Sequence, residues 1–447
     1  MKQRPILHPP VQASHLYYRL TRVLVWAGIS RYYTISGLDD FDRLPRKGTP
    51  TIFIGNHQNG MMDPMPICGF IPQQVHWLTR ADVFWNKVSR HILYGYNQLP
   101  VYRQRDRVDQ LRERNDIIFD VCVDRLHAGA AMGIFPEGNH NPFPSLRALK
   151  GGLAEMLARG VRRHASLKDI QVVPIGLDYE NYAQWRRRLR VRAGKPIPFA
   201  DLLQEDGSMN KSAFNVRVKE AFQTIMVDVQ PEDAQPYLHP AVRAMRTCEM
   251  NAEQWRAFRS TLRTWEEQWQ NDSSWADHVT STHDQWIASW DVAGRPGRPE
   301  AWGTHASQTR TQRSWAHWIR PLLFLANLPS WPATRFITSF VDRSVKKLEF
   351  VATMRFGYGI LLLPLTWLIW ASLAALAAPQ GWGWLAAAAM WLWGQGGSRL
   401  HTWAQSKLHD LQDRHDGEVF WNSQDLAPVR QAWGHYLRAL NIENTPC

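Results

Sequence analysis

Between residues 35 and 200 the chain alternates short apolar runs with stretches of helical period. Thr51–Gly55, Val75–Leu78, Ala131–Phe135, Val172–Leu177 and Leu189–Ala193 read as strands. Asp106–Leu126 and Gly152–Arg163 carry helical spacing. This alternation predicts an α/β fold, a largely parallel sheet flanked by helices. Ligands of such sheets bind beyond the carboxyl ends of the strands. Before this region, Ser14–Tyr33 is a helical stretch of apolar and aromatic residues with Arg19, Arg22 and Arg31 among them. Its apolar centre, Val23–Ile29, is too short to span a bilayer. It suits the plane of a membrane interface, and a helix packed on the next domain is the alternative.

After residue 200 the pattern becomes polar and helix-rich, with a long helix over Met245–Trp269 and a Gly/Pro/Ser/Thr-rich linker over Gly294–Arg313. Gly357–Ser398 contains no charged residue. Gly357–Ala378 is long enough to cross a bilayer, Pro379-Gln380-Gly381 breaks it, and Trp382–Trp393 is a shorter return leg. Arg343, Lys346, Lys347 and Arg355 precede the pair, and Arg399 and Lys407 follow it. This predicts a transmembrane hairpin with both ends cytoplasmic; a buried helical pair in a soluble domain is the alternative. The tail from His401 is polar, with a helix over Ala427–Leu440.

The 447 residues allow one large or two to three ordinary domains. A net charge of +12 favours anionic partners, from nucleic acid to lipid headgroups and phosphorylated substrates. The 23 tryptophans tip that choice toward membrane lipids, and no nucleic-acid-binding motif accompanies the charge. Cys68, Cys122, Cys248 and Cys447 show neither metal spacing nor a disulfide framework. The run Arg186-Arg187-Arg188-Leu189-Arg190-Val191-Arg192 fits anionic lipid, an acidic carrier protein or a solvated face equally well.

The candidate chemistry begins at the end of the first strand, in Asn56-His57-Gln58-Asn59-Gly60-Met61-Met62-Asp63. A histidine at a strand end with a carboxylate nearby builds a general base, the carboxylate fixing the ring tautomer. Three further blocks follow: Leu99-Pro100-Val101-Tyr102-Arg103, Phe135-Pro136-Glu137-Gly138-Asn139-His140, and Val172-Val173-Pro174-Ile175-Gly176. Arg147 and Lys150 lie just after the second of these. In this order the four blocks resemble the glycerophospholipid acyltransferase family, which includes lysophosphatidate acyltransferases. The resemblance covers roughly Gly48–Pro198. Most members place four residues between His and Asp; the five found here, Gln58–Met62, match a bacterial and fungal variant.

The resemblance implies a fatty acyl transfer from acyl-CoA or acyl carrier protein to a hydroxyl of glycerol 3-phosphate or a lysophospholipid, with no further cofactor and no metal. It assigns His57 and Asp63 to catalysis and Arg103 to the phosphate, and places Glu137 and Gly138 in the acceptor pocket, where Arg147 and Lys150 are plausible helpers. Glu137 is expected to bond glycerol hydroxyls or to hold a cation. No Gly-x-Ser-x-Gly elbow is present, in keeping with direct attack of the acceptor without an acyl-enzyme. The oxyanion donor is sought among backbone N–H groups after His57 or near Gly60. The expected divisions are an N-terminal tail and interfacial helix (1–45), an acyltransferase domain (46–200), a helical Trp-rich region with linker (201–335), the hairpin (336–400) and a polar tail (401–447). The expected location is a bacterial inner membrane, catalytic domain cytoplasmic. The alternatives are acylation of another lyso-amphiphile such as a lyso-aminolipid, a metal hydrolase using His57, Asp63, Glu137 and His140, and a non-catalytic lipid-binding membrane protein.

Overall fold

All five expected strands form, and two more join them in one sheet. The computed structural model describes residues 15–138, 140, 143–181, 185–245, 250, 252–295, 310–346 and 348–442. The expectations for residues 1–13, for most of the 294–313 linker, and for Cys248 and Cys447 lie outside the described residues. The strands are β1 (Thr34–Ser36), β2 (Thr51–Gly55), β3 (Val75–Arg80), β4 (Gln98–Val101), β5 (Ala131–Ile134), β6 (Gln171–Tyr179) and β7 (Arg188–Ala193). Their order is β1-β7-β6-β2-β5-β3-β4. Strands β2 to β6 pair in parallel. Strand β7 runs antiparallel to β6, and β1 pairs parallel to β7. The two unforeseen strands, β1 and β4, are the sheet's edges. One has three residues and the other contains Pro100, which an edge strand tolerates because it pairs on one side only.

Alternate strand residues feed two cores. Ile52, Ile54, Met132 and Val172 join one, beneath helices α4 (Leu111–His127), α5 (Gly152–Arg163) and α6 (Lys211–Gln223). Phe53, Val75, Trp77, Val173 and Ile175 join the other, beneath α1 (His15–Tyr32), α2 (Pro64–Phe70) and the start of the helix Leu348–Ala377. Helix α4 begins five residues later than Asp106, because Arg107 and Gln110 adopt left-handed backbone (φ 48° and 56°) that an α-helix cannot include. The arginine run around β7 is not a plain solvated face. Arg187 is buried and paired to Glu180 at 3.0 Å, and Leu189, Val191 and Ala193 point inward.

The chain divides into two compact units. The first holds the sheet and comprises residues 1–142, 146–226 and 336–362. The second comprises residues 143–145, 227–335 and 363–447. In the second, the helix expected over Met245–Trp269 is found over Ala252–Asn271 and a preceding helix ends at Met245, with residues 246–249 and 251 outside the described residues. Trp255, Trp265, Trp286 and Trp433 are buried in its core, so part of the tryptophan content reports a core and not a membrane interface. The C-terminal segment contributes Trp433 and Tyr436 to that core, although its composition reads as a polar tail.

One described helix is long and apolar enough to cross a membrane, Phe350–Ala377, with mean hydropathy 2.1. The expected return leg begins a helix, Gly383–Asn422, that runs on into the charged segment after Ser398. Its apolar part falls short of the roughly 20 residues a span needs.

Gly133 ties the sheet to the site. A Cβ added there meets the Trp77 ring at 2.6 Å. Trp77 stacks on Phe135 at 5.3 Å, and Phe135 stacks on His57 at 4.4 Å. Gly133→Ala is expected to destabilise the protein by about 1–3 kcal/mol through overpacking, read as a lower unfolding midpoint in detergent, and to depress any activity that depends on His57.

Candidate active site

Strand β2 leads directly into the histidine. The Asn56 side chain, fully buried, continues the parallel ladder past the strand's end. Its Nδ2 donates to the Leu177 carbonyl at 2.8 Å, and its Oδ1 accepts from the Leu177 N–H at 2.7 Å. These bonds fix the direction in which the chain leaves the sheet, so the next residue, His57, stands at its carboxyl edge. Phe135, from the end of β5, lies flat against the imidazole, and His140 meets it edge-on at 5.5 Å.

His57 Nδ1 lies 2.7 Å from Asp63 Oδ2. Asp63 is completely buried, whereas the histidine side chain keeps 17% of its exposure. The Asp63 carboxylate also accepts the Asn59 N–H at 2.8 Å on Oδ2 and the Tyr179 hydroxyl at 2.8 Å on Oδ1. A carboxylate so placed accepts from the ring as well, which puts the proton on Nδ1 and leaves Nε2 with its lone pair. The Asn59 side chain donates to the Tyr33 hydroxyl at 3.0 Å, and Tyr33 and Tyr179 meet edge-to-face at 5.4 Å. Burial and the Asp63 charge push the Tyr179 hydroxyl well above the usual tyrosine range, so it stays a neutral donor.

Glu137 is buried. Its Oε1 accepts the His57 backbone N–H at 2.7 Å and its Oε2 accepts the Arg147 backbone N–H at 3.2 Å. These two main-chain bonds join the loops after β2 and β5. Burial pushes the Glu137 carboxyl up to about 8, against the pull of those two N–H groups. Gly138 takes φ +64°, a turn that glycine adopts without strain, and the Lys150 stem lies over it. Arg147 reaches the His140 carbonyl at 3.4 Å, and Lys150 is exposed, its N–H bonded to the Pro136 carbonyl at 2.8 Å. The structure thus gathers His57, Asp63, Glu137, Gly138, Arg147 and Lys150 into one neighbourhood.

Arg103 follows β4 at the same edge of the sheet. Its Nη2 pairs with Asp106 at 2.8 Å and with Asp82 at 3.2 Å. Its Nη1 is buried and has no acceptor among the described residues. Two of the backbone donors sought for an oxyanion are already occupied, the Asn59 N–H by Asp63 and the Met62 N–H by the Asn59 carbonyl. The Gln58 side-chain Nε2, next to His57, is buried without an acceptor among the described residues. No group of three or more His, Cys, Asp or Glu able to hold a metal occurs among the described residues. Sequence reasoning missed Tyr179, Tyr33 and Asn59. Tyr179 closes the strand that bears the Val-Pro-Ile-Gly block, and that position at a carboxyl end was the available signal.

Glu137 favours the folded protein while it is neutral, and this contribution is lost as pH rises from about 4.5 through about 8. Glu137→Gln turns an amide NH2 toward a backbone N–H and is expected to lower the unfolding midpoint. The wild-type advantage over that variant is expected to shrink across the same pH window, as melting curves at successive pH values would record.

Residues 34–178 match the family model described as Acyltransferase. Glycerol-3-phosphate O-acyltransferase 2 of Saccharomyces cerevisiae is 37% identical over 112 residues, 25% of this chain and 14% of the yeast protein. The chloroplastic 1-acyl-sn-glycerol-3-phosphate acyltransferase LPAT1 of Arabidopsis thaliana is 25% identical over 157 residues, 34% of this chain and 39% of that protein. Among solved structures, the 1-acyl-sn-glycerophosphate (LPA) acyltransferase PlsC of Thermotoga maritima aligns with 46% of this chain and 81% of its own, at 14% identity and a TM-score of 0.31. The chain spans well under two thirds of the length of the curated relatives it matches. The matched segment contains β1 to β5 and most of β6, and with them the His57–Asp63 pair, Arg103 and Glu137. Within this segment the chain carries an acyltransferase domain similar to those of the yeast and plant glycerolipid acyltransferases.

Proposed function

We propose that the protein is a membrane-bound O-acyltransferase that moves a fatty acyl group from a thioester, acyl-CoA or acyl carrier protein, to a hydroxyl of glycerol 3-phosphate or a lysophospholipid. The observation that carries this reading is the His57 Nδ1–Asp63 bond of 2.7 Å, which leaves Nε2 as a base beyond the carboxyl edge of the sheet. Nε2 takes the proton of the acceptor hydroxyl as its oxygen bonds to the thioester carbonyl carbon. The tetrahedral intermediate collapses, the C–S bond breaks, and the leaving thiolate takes the proton back from the imidazolium. Charge develops on the carbonyl oxygen in this step, and the unmatched Gln58 Nε2 is the donor we assign to it. Arg103, braced by Asp82 and Asp106 with Nη1 unmatched, is the group we assign to the acceptor phosphate. The activities for which the yeast and plant relatives are named support a glycerol phosphate or its acyl derivative as acceptor.

A membrane seat is supported by two features of the first unit. Helix α1 exposes Leu16, Leu20, Val23 and Leu24. Its Gly28 packs so closely on Phe356 and Ile360, in the described helix that is long and apolar enough to span, that an added Cβ would meet Phe356 at 2.9 Å. In the second unit, Trp382 and Trp384 stand exposed just past that helix's end, where an interfacial aromatic belongs.

The test is acyl transfer in membranes expressing the chain, with labelled acyl-CoA or acyl carrier protein offered against glycerol 3-phosphate, lysophosphatidate and other lysolipids in turn. His57→Ala is expected to lose ~10²–10⁴ in rate, the usual worth of a general base, while the protein still inserts. Full activity in that variant would overturn the reading. Arg103→Ala is expected to raise the KM of the phosphorylated acceptor roughly 10-fold or more, as loss of a charge-assisted contact should, with the donor KM nearly unchanged. An equal effect on both substrates would remove Arg103 from the acceptor site.

A further inference from the structure

The second oxygen of Asp63 is the observation that leads past the base itself. Oδ2 serves His57 and the Asn59 N–H. Oδ1 accepts the Tyr179 hydroxyl at 2.8 Å, from a residue 116 positions away at the end of β6. We infer that Tyr179 is a positioning residue for the transfer reaction: its hydroxyl holds Asp63 in the orientation that meets His57 Nδ1 and draws off part of the carboxylate's charge. The inference rests on the reading of His57 as base.

The geometry is over-determined in a way that packing alone does not need. Tyr179 is buried, and its ring is fixed edge-to-face against Tyr33. Tyr33 in turn accepts the Asn59 side chain, and the Asn59 backbone N–H reaches Asp63. The loop between His57 and Asp63 is therefore pinned at Asn59 from both its main chain and its side chain. The other titratable or charged groups around this pair are Glu137, His140 and Arg147 after β5, and Arg355, which acts electrostatically on Tyr33.

The sign of the effect follows from charge. The Asp63 carboxylate is the stronger acceptor while His57 is neutral; once the imidazolium forms, that cation competes for its lone pairs. The Tyr179 bond is therefore stronger in the neutral-histidine state and favours the basic form of the catalyst. Removing it lets Asp63 hold the imidazolium more tightly, and His57 becomes harder to deprotonate.

The experiment is the pH dependence of kcat/KM for acyl transfer by the full chain in membranes. Tyr179→Phe, which keeps the ring, is expected to move the acid limb upward by roughly one pH unit, with the plateau rate above the limb lowered by less than in His57→Ala. Site-specific 3-fluorotyrosine at position 179, a stronger donor of nearly the same shape, is expected to move the limb the other way. A uniform loss of rate with an unmoved limb in both proteins would overturn the inference and leave Tyr179 as packing. If Tyr179→Phe does not fold, the fluorinated residue decides alone, and an unmoved limb overturns the inference. Full transfer by His57→Ala would instead mean that the base reading has failed, a different outcome from an unmoved limb with His57 still essential.

Discussion

A carboxylate taken out of water costs several kcal/mol unless donors replace its hydration. Asp63, with no exposed side-chain surface, is placed under that constraint. Its donors come from two places in the chain: His57 and Asn59 in its own loop, and Tyr179 at the end of β6. They meet because β6 pairs with β2 in parallel, so both strands deliver their carboxyl ends to one edge. The Asn56 side chain extends that pairing by one more step. The β2–β6 pairing and the loop thus bring to this one buried charge the donors that satisfy it, and the tautomer of His57 follows from that contact.

Glu137 is a second buried carboxylate with a different environment. Its partners are two backbone N–H groups, and burial outweighs them, so its carboxyl moves up to about 8. Asp63 engages the His57 ring, whereas Glu137 engages the main chain on which that ring is mounted. Two acids near one histidine thus divide the work, one orienting the imidazole and one fixing the loops on either side of it, and environment rather than residue type draws the line.

The apolar residues also divide into two uses. Phe53, Val75 and Trp77 cover one face of the sheet, and Trp265, Trp286 and Trp433 fill the second unit's core. Few residues of the apolar stretch in Phe350–Ala377 are buried in the folded chain, Leu361, Leu365, Leu368 and Leu376 among the exposed ones, and helix α1 shows a comparable row. Exposed apolar surface of that extent needs a cover, and a bilayer is the cover that our functional reading supplies.

Local pattern determined much of this protein. Short apolar runs marked five strands, and period-3.6 spacing marked the helix Gly152–Arg163, whose bounds came out as read. The four blocks marked His57, Asp63, Arg103 and Glu137 as residues of interest, and the apolar stretch before Pro379 marked a helix able to span. Edge strands β1 and β4 were too short or too polar to register, and the left-handed residues that delay α4 are ordinary Arg and Gln. What only the tertiary structure decided is who meets whom. Tyr179 lies 116 residues from Asp63, Glu137 lies 80 from His57, and Trp265 lies 175 from the Leu440 carbonyl it bonds. Periodicity reports which face of an element is buried. It carries no information about the distant segment that supplies a buried charge with its donor, because that choice is made by the order in which strands and helices assemble.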